Sequence, residues 1–353
     1  MRRLLQILLL AVTLAATAPH RASAELLSLD TIASWGKFPR FCINTYRWGD
    51  KFFNSYDSTY VTGTGKRFNI KFRTDSWTDF YNFNFDEEPR TRMYMMSDPT
   101  TSAGFWITYM AVSVGYDMNV GKYFGGGESR RKWSFQFNCS LFAADAYFSS
   151  NDVGSTIMRL GPRGNTQSTD IDFNGINNES WGLDLYYFFN HRHYSQAAAF
   201  AFSKIQRKSS GSLYAGLSFW GLNYDFDFNG LSEEVKQQLP LSKYNYYYRT
   251  KSKNYGLRLG YGYNWVFHKG WTLAVSESPI IGVRRGWLLN LNEDRTSLSF
   301  YNRLKASIVY NNGKWFTGAV LRMENALFYD KTHTMLGSMV SFEASVGYRF
   351  NIW

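Results

Sequence analysis

Ionisable residues recur at every second position through much of this chain, and their chemistry depends on which face of a strand carries them. Lys71 and Arg73, Arg303 and Lys305, Arg322 and Glu324, and Glu343 and Arg349 fall in such alternating positions, with Arg258, Asp75 and Asp184 in comparable settings. Read as one inward face, they make a lining with more bases than acids. Paired charges inside a narrow enclosure are usually structural, because a charge there must be matched or hydrated. An excess of Arg and Lys lowers the barrier for anions. Both readings hold at this stage.

Other residue types offer little chemistry. His191 and His193 stand beside Tyr194 and Ser195, which allows a Ser/His pair on paper. Neighbouring loop residues need a rigid scaffold before they work as nucleophile and base. His268 and His333 lack metal-ligand spacing. The run Phe124-Gly125-Gly126-Gly127-Glu128-Ser129-Arg130-Arg131 lacks the Lys-Ser/Thr of a phosphate loop. It reads as a flexible outer loop, whose basic run Ser129 to Lys132 would face lipopolysaccharide phosphates. No catalytic, cofactor-binding or metal-ligating residue is assigned, and no cofactor is expected.

The elements that must position the charges have a period of two. In the last stretch, Leu336, Val340, Phe342, Ala344, Val346, Tyr348, Phe350 and Ile352 alternate with Gly337, Ser341, Glu343, Ser345, Gly347, Arg349 and Asn351. A long terminal strand ending this way looks like the C-terminal assembly signal of outer-membrane barrels. Ser345, Gly347, Phe350 and Ile352 carry the match, and Trp353 extends one residue past the usual end. The same alternation is read at 68–73, 88–97, 102–118, 131–149, 179–190, 195–207, 211–226, 252–267, 271–284, 296–310 and 314–327. With 336–353 that makes about twelve strands, within a range of ten to fourteen. An aromatic fraction of 19% with 29 Gly and only 7 Pro suits interfacial girdles and unbroken ladders.

Short connections at His268-Lys269-Gly270, Asn311-Asn312-Gly313 and Lys208-Ser209-Ser210-Gly211 are expected on the periplasmic side, and polar segments near 118–130, 227–251 and 285–295 outside the cell. Residues 151–180 conflict with this count: they form an inserted loop or two more short strands near Thr156 to Leu160 and Ile171 to Asn174. Glu277 falls on the lipid side, which suggests a bulge or a strand end there. Cys139 is read on the lipid face, and free thiols are expected for it and Cys42.

Met1-Arg2-Arg3, an apolar run from Leu4 to Ala18 and Ala22-Ser23-Ala24 describe a secretory signal peptide, residues 1–24, cleaved before Glu25. Its removal takes the net charge from +11 to +8. Nucleic acid is excluded as a partner by export, and anionic headgroups or solutes are the complement of the basic balance. Residues 25–66, rich in aromatics without clean alternation, are expected to form an ordered periplasmic cap or a plug. Residues 67–353 form the barrel.

Three strings carry a resemblance: Phe41 to Asp57 (FCINTYRWGDKFFNSYD), Tyr109 to Tyr116 (YMAVSVGY), and Tyr186 to Asn190 continuing through Tyr194 to Phe200 and on to Ser212. On them the chain resembles a Bacteroidetes family known only as domain of unknown function 4421. The resemblance implies secretion and an outer membrane, and it brings no activity.

The chain is thus expected to be an all-β transmembrane antiparallel barrel of about twelve strands with a short N-terminal segment, placed in the cell outer membrane. Its expected partners are outer-membrane lipids, lipopolysaccharide and the barrel-assembly machinery. The role is a restricted passage or binding barrel for a small, anionic solute or lipid. A structural envelope protein and a lipid-modifying enzyme are the alternatives.

Overall fold

The computed structural model describes residues 34, 36–66, 68–109, 112–120, 131–151, 153–288, 295–329 and 332–351. The signal segment, the 121–130 run, and Ile352 and Trp353 of the assembly signal lie outside them.

The first element is a helix, α1 (Lys37–Phe53). Pro39 sits in its first turn, where a missing N–H leaves no bond unmade. α1 belongs to a compact unit separate from Tyr56–Phe350.

The second unit is a β-barrel. After the short β1 (Val61–Gly63) come β2 (Phe68–Phe85), β3 (Thr91–Ser97), β4 (Thr100–Tyr109), β5 (Val112–Asn119), β6 (Arg131–Asn138) and β7 (Phe142–Asn151). β8 (Ser155–Pro162), β9 (Gln167–Phe173) and β10 (Ile176–Phe188) follow, then α2 (Gln196–Phe200) and β11 (Lys204–Gln206). The last six are β12 (Ser210–Asp227), β13 (Tyr247–His268), β14 (Trp271–Leu288), β15 (Arg295–Asn311), β16 (Trp315–Tyr329) and β17 (His333–Phe350), with α3 (Glu233–Lys236) between β12 and β13.

Among the described residues twelve strands form one antiparallel wall, in the order β6-β7-β10-β12-β13-β14-β15-β16-β17-β2-β4-β5. Its two ends, β5 and β6, are consecutive in the chain. The sheet forks at β2, whose residues 68–77 pair with β4 and 80–84 with β3. β3, β8 and β9 continue that second branch as an extension.

Alternation sets the two faces. In β13 every second residue from Tyr248 to Asn264 is buried, while Tyr255, Leu257, Leu259, Tyr261 and Tyr263 point outward. Leu257 is 70% exposed, Leu298 64% and Leu259 60%. A continuous apolar belt of this extent needs hydrocarbon around it, as in membrane barrels. Gly260 and Gly262 leave room inside: a Cβ there would meet the Tyr214 ring at 2.4 Å and the Tyr194 hydroxyl at 2.2 Å.

The short turns sit at one end. Gly270 and Gly313 supply the left-handed residue at φ 78° and 90°, and the Asn312 side chain accepts from Trp315 N at 2.7 Å. The opposite end carries 86–90, 153–175 and 228–246.

The strand count holds, but several boundaries need correction. The 102–118 strand is parts of two, β4 and β5, and 131–149 is likewise β6 and β7. The 195–207 strand is instead α2, an irregular turn and β11, and 88–97 overlaps β3, which belongs to the extension. Two missed hairpins and two surplus strands cancel in the total. They also resolve the conflict over 151–180: this segment, containing β8 and β9, lies at the long-loop end. No bulge occurs at Glu277: the β13–β14 ladder skips the two positions beside it at Ser278 and Pro279, keeps the same register on both sides, and shifts only between Val266 and His268, and β14 continues through it to Leu288. Asn302 Nδ2 donates to its carboxylate at 3.2 Å on the outward face. Cys139 is not on the lipid face. It lies in the β6–β7 turn, 3% exposed and free, bonded to Phe142 O at 3.1 Å; the Cys42 side chain lies outside the described residues.

Candidate functional site: the filled lumen

The inward residues meet across the barrel in three layers. In the middle layer Asp184 of β10 pairs with Arg303 of β15, four strands away in the wall, and lies 3.9 Å from Arg258 of β13. Arg303 Nε is 3.6 Å from Glu324, which also accepts from the Tyr301 hydroxyl. Lys305 Nζ is 3.9 Å from Asp145 of β7, and Tyr186 donates to the same carboxylate at 2.9 Å. Arg322 bonds Glu343 at 2.7 Å, and Arg73 Nε donates to Asp117 at 3.1 Å. Tyrosine rings complete the layer, with Arg258 4.8 Å over Tyr186 and Arg303 5.4 Å over Tyr147.

The ten predicted lining charges therefore sit in or beside this network, with two qualifications. Lys71 lies near the Trp106 ring, at 5.8 Å. Arg349 belongs to the layer below. Two acids escape the sequence reading, Asp117 and Asp145. A hairpin turn mistaken for continuous strand inverts the phase of every later residue in that strand, so both aspartates land on the outward side. An Asp set between aromatic and alanine positions, as in Ala144-Asp145-Ala146-Tyr147, is the available signal. With them included, the lumen cations are largely matched rather than in excess.

The layer at the turn end is built by the connection 189–209, which folds inward. The α2 residues Gln196 to Ala199 are all buried. Ser195 caps the helix by accepting from Ala198 N at 3.1 Å. Wall side chains hold the segment by its carbonyls: Ser307 donates to Ala199 O at 2.8 Å, Asn264 to Ser195 O at 3.0 Å, and Asn311 to Phe202 O at 3.1 Å. Arg349 donates to Phe202 O and to Asn311 Oδ1, and stacks 4.1 Å over Phe316. Phe202 itself takes φ 58°, costly for a bulky residue. Its ring fills the space above Gly318, packed with Val309, Phe316 and Val320. β1 pairs with β11 beneath.

The layer at the long-loop end is apolar. Phe83 meets Phe226 and Tyr248 edge-on at 5.1 Å each, and Met93, Met95, Phe173, Phe228, Leu239 and Leu241 from the connections close over them. His333, read in sequence as isolated, is buried here and shares a 2.8 Å hydrogen bond with Tyr248.

Between the layers a cavity of about 10 Å³ remains, lined by Tyr186, Gln196, Tyr214, Arg258, Ser276, Ser278, Arg303 and Lys305. That is room for about one water. His193 and Ser195 do not form a pair: His193 bonds Asn190 at 3.1 Å and approaches Asp57 at 3.6 Å, while Ser195 donates to Tyr56 at 3.3 Å. Burial pushes the Tyr56 hydroxyl up to about 12, so it stays neutral and offers Ser195 no base. Among the described residues no three His, Cys, Asp or Glu side chains are grouped to hold a metal ion. The glycine-rich run lies outside the described residues.

A family model described as domain of unknown function (DUF4421) matches residues 55–350. No curated protein matches the chain. Among solved structures, the outer membrane protease OmpT from Escherichia coli is similar at 8% identity and TM-score 0.39, over 82% of this chain and 98% of that one. The outer membrane protein OprG from Pseudomonas aeruginosa shows 11% identity and TM-score 0.26, over 81% and 97%. The translocator domain of autotransporter NalP from Neisseria meningitidis shows 11% and 0.27, over 92% and 100%. The barrel assignment rests on the chain's own strand register and outward face.

Proposed function

The chain belongs to the domain of unknown function family DUF4421, whose description names no activity, and from that premise we propose that it is a closed barrel of the cell outer membrane. On this reading it is exported by cleavage of residues 1–24 and serves as a structural or binding component of the envelope. Solutes do not pass through it in this state. The observation that supports the reading is the packed lumen, where 189–209, the ion-pair layer and the aromatic layer meet and the cavity lined by Arg258, Arg303 and Lys305 has room for about one water. A barrel of twelve strands is narrow enough to be filled by its own side chains and one inturned connection. Matched charges also remove the reason for anion preference that an unpaired basic lining would supply.

Single-channel recording of the refolded mature protein in a planar bilayer tests this. A silent barrel is expected, with folding verified by heat-modifiable electrophoretic mobility. Deleting 197–203 is expected to produce discrete conductance steps in barrels that pass the same folding check. Steps in the unmodified protein would overturn the closed reading. If substituting Arg258, Arg303 and Arg349 then changed their ion preference, the restricted passage would replace it.

A further inference from the structure

The two ends of the barrel differ in charge balance. The turn-end segments 56–66, 139–141, 189–209, 269–270 and 312–314 hold seven Lys and Arg and one acid, Asp57, whereas 86–90, 153–175 and 228–246 at the other end hold seven acids and five bases. By sequence alone, Arg67, Met110, Ala111, Ile352 and Trp353 add no acid, and residues 25–55 contain four bases and three acids. The positive sign of the turn end therefore stands wherever those residues lie. An end of one sign attracts partners of the other.

The cations fall into two sets. Lys269 and Lys314 are exposed in wall turns beside the aromatic girdle, and Lys314 Nζ lies 5.5 Å over the Tyr348 ring, within reach of lipid headgroups. Arg192, Arg207 and Lys208 are exposed on the inturned connection instead. Arg207 Nη1 donates to Ser58 O at 3.2 Å, and Lys208 Nζ lies 5.1 Å over the Tyr60 ring, so both reach toward the segment that leads into β1 beneath the lumen. The Asp57 N–H donates to Arg192 O at 2.9 Å, which brings the third cation to the same place. A carbonyl and a ring fix a cation in position without cancelling its charge. Because a membrane barrel stands across the bilayer, lipid surrounds its wall and not its mouth. The central set faces the aqueous compartment.

We propose that Arg192, Arg207 and Lys208 form a docking surface for an anionic polymer with closely spaced carboxylates, the stem peptides of peptidoglycan. On the outer-membrane reading the turn end faces the periplasm, where that polymer lies; the inference rests on that placement and gives the binding role a partner. Exposed ion pairs are individually weak. A ligand that repeats its charge overcomes this, because each further contact forms at high effective concentration once the first is made. A small monovalent solute has no such gain.

The test is co-sedimentation of the full mature protein, refolded in non-ionic detergent, with purified peptidoglycan sacculi and with sacculi whose carboxylates have been amidated. Native sacculi should bind about tenfold more tightly. Salt at about 1 M, where the screening length is about 3 Å, should remove the difference. Arg192→Gln with Arg207→Gln and Lys208→Gln should remove it too, with heat-modifiable mobility unchanged. Arg90→Gln with Arg163→Gln and Lys236→Gln takes the same charge from the other end and should leave the preference intact. Equal binding to both kinds of sacculi, or equal loss in the two triple variants, would overturn the proposal. The side is read separately, from Ser58→Cys and a membrane-impermeant maleimide. Labelling above that of the parent protein is expected only after the outer membrane is permeabilised. Such labelling in intact cells would overturn the placement and the proposal together, whereas failure on sacculi overturns the proposal alone.

Discussion

From β12 to β17 the strands run 15 to 22 residues, whereas β4 to β7 run only 8 to 10. Both walls present alternating faces to lumen and lipid, yet they hold their charges differently. Arg303 of the long wall and its partner Asp184, across the lumen on β10, are almost wholly enclosed, with side chains 6% and 3% exposed. In the short wall Asp117, with Arg73 of the adjoining β2, forms a pair 20% and 18% exposed. Length gives the long wall enough inward residues to meet across the lumen, and that enclosure should set the energetic weight of each pair.

Substituting the cation in each pair tests the difference directly. Arg303→Met leaves Asp184 and Glu324 buried with one fewer cation, and should cost about 3–5 kcal/mol. Urea unfolding of the refolded barrel, followed by tryptophan fluorescence, would measure it. Arg73→Met should cost only about 1 kcal/mol, because water reaches Asp117. Equal losses would break the comparison and place the two pairs in one dielectric environment.

The smallest effect belongs below both walls. The Thr59 backbone N–H, 2.8 Å from the Asp57 carboxylate, with His193 and Lys208 adding weaker attraction, holds that carboxyl below its ordinary range. A depressed carboxyl stabilises the fold above its ordinary pKa, and the contribution fades as pH falls through the lowered value. Acid should therefore loosen residues 56–63, seen as faster amide exchange there, and Asp57→Asn should reproduce the loosening at neutral pH. Exchange in 56–63 that is the same for both proteins across the titration would remove Asp57 from this role.

Legibility in sequence tracks strand length for a physical reason. Leu257 to Phe267 against Gly256 to Asn264 repeats its alternation often enough that only one phase fits. β6 and β7 each supply a few repeats, and the turn at Cys139, Ser140 and Leu141 has no Gly or Pro to announce it. Alternation carried straight through that turn comes out with its phase inverted, which costs Asp145 and misplaces Cys139. The inturned connection is hidden differently. Ser195 to Phe202 is largely apolar and comes after a strand, so its sequence resembles more wall; its true partners, Asn264, Ser307, Asn311 and Arg349, come 69 to 147 positions after the carbonyls they hold. Tertiary pairing over that range leaves no local pattern to read.

Those distant partners also impose an order in time. The chain emerges from its N-terminus, so residues 189–209 exist before any of β13, β15, β16 or β17 that will hold them. Arg349, which grips the Phe202 carbonyl, is made 147 residues after it and lies on the strand that joins β2. Until that seam forms, the inturned segment has no complete seat. The barrel is therefore corked from within by the same closing step that makes it a barrel.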